Sequence, residues 1–174
     1  MAFYGAEQVM DSIKAYMVSD FGTHLTAVQS AATSGGAVAL GPVPAAPVAA
    51  DIFLNMQAVD FGKPVPRKIA MVLTVNTYDP FDIPNGLSMV GISLTLIASE
   101  PSGRVENIVR RLGRYIEAAN RLFDADATCS TSYIVQARYG EPTQFSPEFD
   151  VADSNAIYQQ AFIPLMVEIQ ENAA

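Results

Sequence analysis

Tryptophan is absent from the 174 residues, and cysteine and histidine occur once each. Cys129 alone can form neither an internal disulfide framework nor a cysteine-cluster zinc site, so synthesis in a reducing compartment and a lone buried thiol are expected. Long apolar runs are missing too. The most apolar region, 37–50, is cut by Pro42, Pro44 and Pro47, and no stretch reaches the roughly 18 residues that a membrane span needs. The opening Met-Ala-Phe-Tyr-Gly-Ala-Glu has no basic segment ahead of an apolar core, so a soluble chain without a secretory signal or a membrane partner is expected.

Bases are the other scarcity. Ten Lys and Arg stand against 18 Asp and Glu, a formal net charge of −8. The imbalance is concentrated late in the chain, where Asp124, Asp126, Glu141, Glu148, Asp150, Asp153, Glu168 and Glu171 face a single base, Arg138. Clamping nucleic acid through its phosphates requires clustered Lys and Arg, so adhesive DNA binding is not expected. An acidic surface repels a polyanion passing nearby.

Half of the residues are apolar, and the length suits one domain, 1–174, with a core that needs no staples. Residues 6–21 place Val9, Met10, Ile13, Tyr16 and Met17 at helical spacing, with Glu7, Asp11, Lys14 and Asp20 largely elsewhere on the wheel. Gly22 is the expected stop, although His24 and Val28 continue the stripe and would extend it. From 30 to 50 the chain is Ala, Gly, Pro and Val with scarcely a charge, and reads as an extended arm or long loop, either ordered by a partner or a plain insertion. Residues 51–59 fit a short strand or a helical turn equally.

Residues 68–78 run nearly continuously apolar and β-branched, which predicts a strand buried on both faces. The turn-rich 79–86 and a second strand over 87–98 then predict a hairpin. A second helix is predicted over 105–122, with Ser102 as N-cap and Val105, Ile108, Val109, Leu112, Tyr115, Ile116 and Ala119 on its packed face. Strands are predicted at 131–139 and 157–169 with a Pro-rich acidic loop, 141–155, between them, and Pro164 implies a bulge or an edge position in the last. The fold class expected is α+β: an antiparallel or mixed sheet of about four to five strands with two main helices packed on it, in the order α-β-β-α-β-β.

Catalytic chemistry finds little purchase. His24 lies on the apolar stripe, and a core or boundary role is favoured over general-base work, which needs a positioned partner. The pairs Asp79 with Asp82, Asp124 with Asp126 and Asp150 with Asp153 suit turns and caps better than a calcium loop, which needs several oxygen ligands at regular spacing. Gly35-Gly36 and Leu40-Gly41-Pro42 lack the pattern of a phosphate loop, and no serine sits in a nucleophile elbow. No catalytic, cofactor-binding or metal-binding residue is assigned, and no cofactor is expected.

Arg110, Arg114 and Arg121 fall within roughly 40° of one another on the second helix, opposite its apolar face. Glu106 and Glu117 each precede an arginine by four, so local ion pairs make a solvated face one reading. A docking row that meets the acids of a neighbouring copy, Asp150, Asp153 and Glu168 among them, is the other.

The succession of elements resembles the tail terminator, or tail completion, proteins of tailed bacteriophages. The likeness is carried by the opening helix through Val9-Met10-Asp11-Ser12-Ile13, the strand Ile69-Ala70-Met71-Val72-Leu73-Thr74-Val75, the helix over 105–122 and the closing strand over 157–169. It rests on apolar and polar patterning across most of the chain, with no signature motif. The resemblance implies a virion structural protein, not an enzyme: a homo-oligomer forming a hexameric ring at the neck, assembled in the host bacterial cytoplasm. The ring's partners would be the tail tube protein and the head connector or adaptor proteins, with DNA passing through the lumen without specific binding. The 30–50 arm departs from that pattern and leaves open another neck or connector component. The reading of a different class is a small soluble enzyme or ligand-binding domain with its pocket between the second helix and the sheet.

Overall fold

The computed structural model describes residues 5–37, 45–54, 69–82, 85–101, 106–140, 142–150 and 156–170. Helix α1 (Ala6–Ser34) is built on the stripe Val9, Ile13, Tyr16, Met17, Phe21, Leu25 and Val28, all buried. Gln8 turns back to accept a hydrogen bond from the Gly5 amide at 3.0 Å, satisfying one of the donors left open at a helix start. The helix does not stop at Gly22. A Cβ there would stand 3.2 Å from the Cβ of Ala46, so that glycine is a packing position, and the end comes at Gly35 and Gly36, the latter at φ +77°.

The expected arm is therefore shortened from its front. Its far end is also docked within the chain, for the Tyr115 hydroxyl donates to the Ala45 carbonyl, and just beyond the arm Lys14 Nζ donates to the Ile52 carbonyl at 2.7 Å. A 3₁₀ turn at Ala49–Asp51 leads into β1 (Ile52–Phe53), the strand alternative for that region. Residues 38–44 and 55–60 lie outside the described residues.

The fold is mixed α+β, with the main elements in the expected order. Four longer strands, β2 (Ala70–Asp82), β3 (Leu87–Pro101), β4 (Ile134–Tyr139) and β7 (Ala156–Gln170), make the body of the sheet. The two-residue strands β1, β5 (Gln144–Phe145) and β6 (Phe149–Asp150) extend it. The order is β1-β2-β3-β7-β4, with β5 and β6 also on β7. Among the described residues only β1 runs parallel to its neighbour; β2 with β3 is the predicted hairpin.

Burial of β2 on both faces extends only through Met71, Val72 and Leu73, after which the strand is largely exposed. Pro164 sits neither at the sheet edge nor in a bulge of β7, for β7 lies between β3 and β4 in unbroken register with β3. Its carbonyl accepts from the Gly140 amide at 3.0 Å, so its nitrogen also faces away from β3, into the gap where β4 has ended and β5 has not begun. A residue without an N–H is tolerated there because no ladder bond is due.

Helix α2 (Glu106–Ala125) packs on β3, β7 and β4, and α1 lies beside it over β2. Both helices cover one face of the sheet. Ile92, Leu94, Leu96, Ile163, Leu165 and Val167 point into that core. The opposite face carries a small apolar cluster at one end, Val72, Ile97, Ala156 and Tyr158, with Phe149 stacked on Tyr158 at 5.8 Å.

Candidate assembly surface

The arginine row divides on inspection. Arg110 and Arg121 are exposed, and Arg121 Nε donates to Glu117 Oε1 at 2.9 Å, the local pairing that the four-residue spacing allows. Arg114 is a correction: it is only 8% exposed and donates to Gln29 Oε1 on α1. Its burial, with Arg110 nearby, holds the guanidinium below its usual range. The cause is the length of α1, which continues past Gly22 and covers a position that one shorter helix would leave in water.

The packed face of α2 is displaced in consequence. Buried positions from Arg114 through Tyr115 to Phe123 span about 180° of the wheel at roughly 100° per residue, because the helix contacts both the sheet and α1. Val109, expected inside, is 50% exposed. Arg111, to which the sequence reading gave no role, is enclosed and forms an ion pair with Glu100 near the end of β3. Its Nη1 also donates to the Ser99 carbonyl at 3.2 Å.

Of the acids expected to answer the row, Glu168 lies half-buried on β7, on the helix-free face and so away from α2. The backbone of Asp150 pairs with Ile157; its side chain and all of Asp153 lie outside the described residues. Ser102, the proposed N-cap, does as well. Among the described residues of the set, Arg110 and Arg121 are exposed on α2, Arg114 is covered by α1, and Glu168 lies on the opposite face of the sheet.

The helix-free face offers a more coherent surface. Pairing registers set its side chains in cross-strand rows: Asp79, Met89, Glu168 and Gln136 form one, and Thr77, Gly91, Met166 and Arg138 the next. Asp79, Gln136 and Arg138 are exposed, and Met89, Met166 and Glu168 half-buried. A groove of about 410 Å³ opens here, lined by Asn76, Thr77, Gly91, Gly140, Pro164 and Met166 among others. A Cβ at Gly91 would collide with the Thr77 side chain, so the glycine keeps β2 close where Asn76 bulges. The space between α2 and the sheet, in contrast, is filled by Ile108, Leu112, Tyr115, Ala119 and Leu122.

After α2 the chain turns through Asp126, whose carboxylate accepts from the Thr128 amide and hydroxyl at 2.9 and 2.6 Å and from the Ser130 amide and hydroxyl at 2.8 and 3.0 Å. This is the turn chemistry expected there, carried by Asp126. Cys129, within that turn at φ +50°, is buried and free. His24 sits half-buried on α1.

No protein-family model matches this chain, and no curated protein matches it in sequence. No helix among the described residues is long and apolar enough to cross a membrane.

Proposed function

We propose that this chain is a ring-forming structural subunit of a tailed-bacteriophage virion, placed at the head-proximal end of the tail, where it ends tube growth and joins the head connector. The observation that carries the reading is the one-sidedness of the fold. Both helices cover one face; on the other, Val72, Thr95, Ile97 and Tyr158 are buried at one end, while Asp79, Gln136, Arg138 and the outer run of β2 are exposed at the other. Such a sheet gains by packing against something outside its own chain. The −8 charge, multiplied around a ring, suits a conduit that repels a passing duplex at short range.

Native mass spectrometry with electron microscopy of the purified chain tests this. A discrete ring with an open centre is the expected result, together with failure to shift duplex DNA at low salt. A monomer under all conditions, or tight salt-sensitive DNA binding, overturns the conduit. The groove on the helix-free face favours one competing reading, a small-molecule binder. A monomer stabilised by a metabolite in a thermal-shift screen would establish that reading instead.

A further inference from the structure

We infer that the subunits of such a ring meet flank to flank, the β2 edge of one copy against the β4 edge of the next, with Asp79 of one beside Arg138 of the other. The inference rests on the ring reading and specifies its interface. β2 and β4 are opposite edges of the long-stranded sheet, and each step from β2 through β3 and β7 to β4 is antiparallel. A copy displaced sideways by one sheet width therefore lays its β2 antiparallel to the neighbour's β4, the relation every long strand already has to the strand beside it.

With no shift along the strands, the rows set which residues meet. Asp79 shares a row with Gln136 and lies one row from Arg138, on the same face and exposed. Diagonal cross-strand neighbours of opposite charge attract. Apolar side chains stand exposed on both flanks, Tyr78 and Phe81 on β2 and Val135 on β4. A two-fold contact between two β2 edges centred near Asp79, or between two β4 edges centred near Arg138, juxtaposes like charges. The unlike pairing is favourable, and it repeats around a rotation axis.

Side chains lead this contact. Pro80 removes a donor from β2, two irregularities interrupt its register, and the outward Ala137 amide of β4 already donates to the Ala127 carbonyl at 2.6 Å. Those features also guard the edges against indiscriminate strand addition.

Cross-linking decides the matter. Within one chain positions 79 and 138 are three strand spacings apart, about 14 Å, beyond the reach of a disulfide, and Cys129 is buried. A chain carrying Asp79→Cys and Arg138→Cys together should, on mild oxidation, give a ladder of covalent oligomers up to the ring number, and each single variant none. Covalent dimers from Asp79→Cys alone would mean a two-fold edge contact and overturn the pairing. An intact ring without a ladder would overturn the pairing and leave the ring standing, whereas parent and variant both monomeric at every salt concentration would remove both. In a charge exchange, Asp79→Arg and Arg138→Asp should each lower the assembled fraction at least about tenfold at low salt, and their combination should restore it. Singles that assemble like the parent would refute the contact.

Discussion

Arg111 and Glu100 form an ion pair with 1% and 0% of their side chains exposed, joining the first half of α2 to the end of β3. Glu100 Oε2 and Arg111 Nε have no hydrogen-bond partner, so the pair is incompletely satisfied. Burial presses the Arg111 guanidinium below its ordinary range, with Tyr115 beside it acting in the opposite direction. Removing one partner leaves an uncompensated charge in the core, which costs about 3–5 kcal/mol, whereas replacing both with apolar groups is often nearly neutral. Glu100→Leu and Arg111→Met should each be strongly destabilised in urea unfolding, and the double variant more stable than either. Additive losses would show the ion pair to be energetically irrelevant.

Arg114 and Arg121 should respond oppositely to charge reversal. Arg114→Glu breaks a buried contact with Gln29 and is expected to lose more than about 2 kcal/mol. Arg121→Glu, on the exposed side, should change stability by under about 0.5 kcal/mol. Equal melting temperatures for the two would contradict the burial of Arg114.

Hydrogen bonds from the Thr128 hydroxyl first, then from the Thr128 amide and from Ser130, hold the Asp126 carboxyl below its usual 3.8. A depressed folded value contributes stability above about pH 4 that is lost as pH falls through it. Asp126→Ala should therefore cost about 1 kcal/mol at pH 7, with the difference from the parent shrinking as the solution is acidified below pH 4. Chemical denaturation at pH 7 and pH 3 measures both arms, and a constant difference would refute the assignment.

Burial, with Asp126 adding to it, pushes the Cys129 thiol up to about 12. Little thiolate then exists near neutrality. Alkylation by iodoacetamide at pH 7.5 should be at least roughly a hundredfold slower in the native protein than in urea. Comparable rates would place the thiol in solvent.

Element type was legible where apolar spacing was regular. Strand β7 begins and ends within one residue of the reading from alternation, and α2 announced itself through Ile108, Leu112 and Tyr115. What could not be read was whatever depended on a second neighbour. Gly22 has the composition of a helix stop, but the close approach of Ala46 that explains it comes from far along the chain. Arg111 and Arg114 look like surface residues in a helical wheel, since nothing local announces that Glu100 and Gln29 will cover them. The same holds for the flanks: Arg138 stood out only as a lone base among acids, and its row relation to Asp79 exists only once four strands are in register.

The position of β7 governs how the chain must be made. It pairs with β3 over fifteen residues on one side and carries β4, β5 and β6 on the other, yet every one of those strands leaves the ribosome before it. During synthesis β3 and β4 wait with uncovered edges, and the sheet closes only when the final strand slides between them. Pairings so distant along the chain make for slow folding and a nascent intermediate exposed to aggregation. A stop codon placed before residue 156 would remove the keystone rather than trim an end, and the shortened product should be recovered in inclusion bodies or degraded.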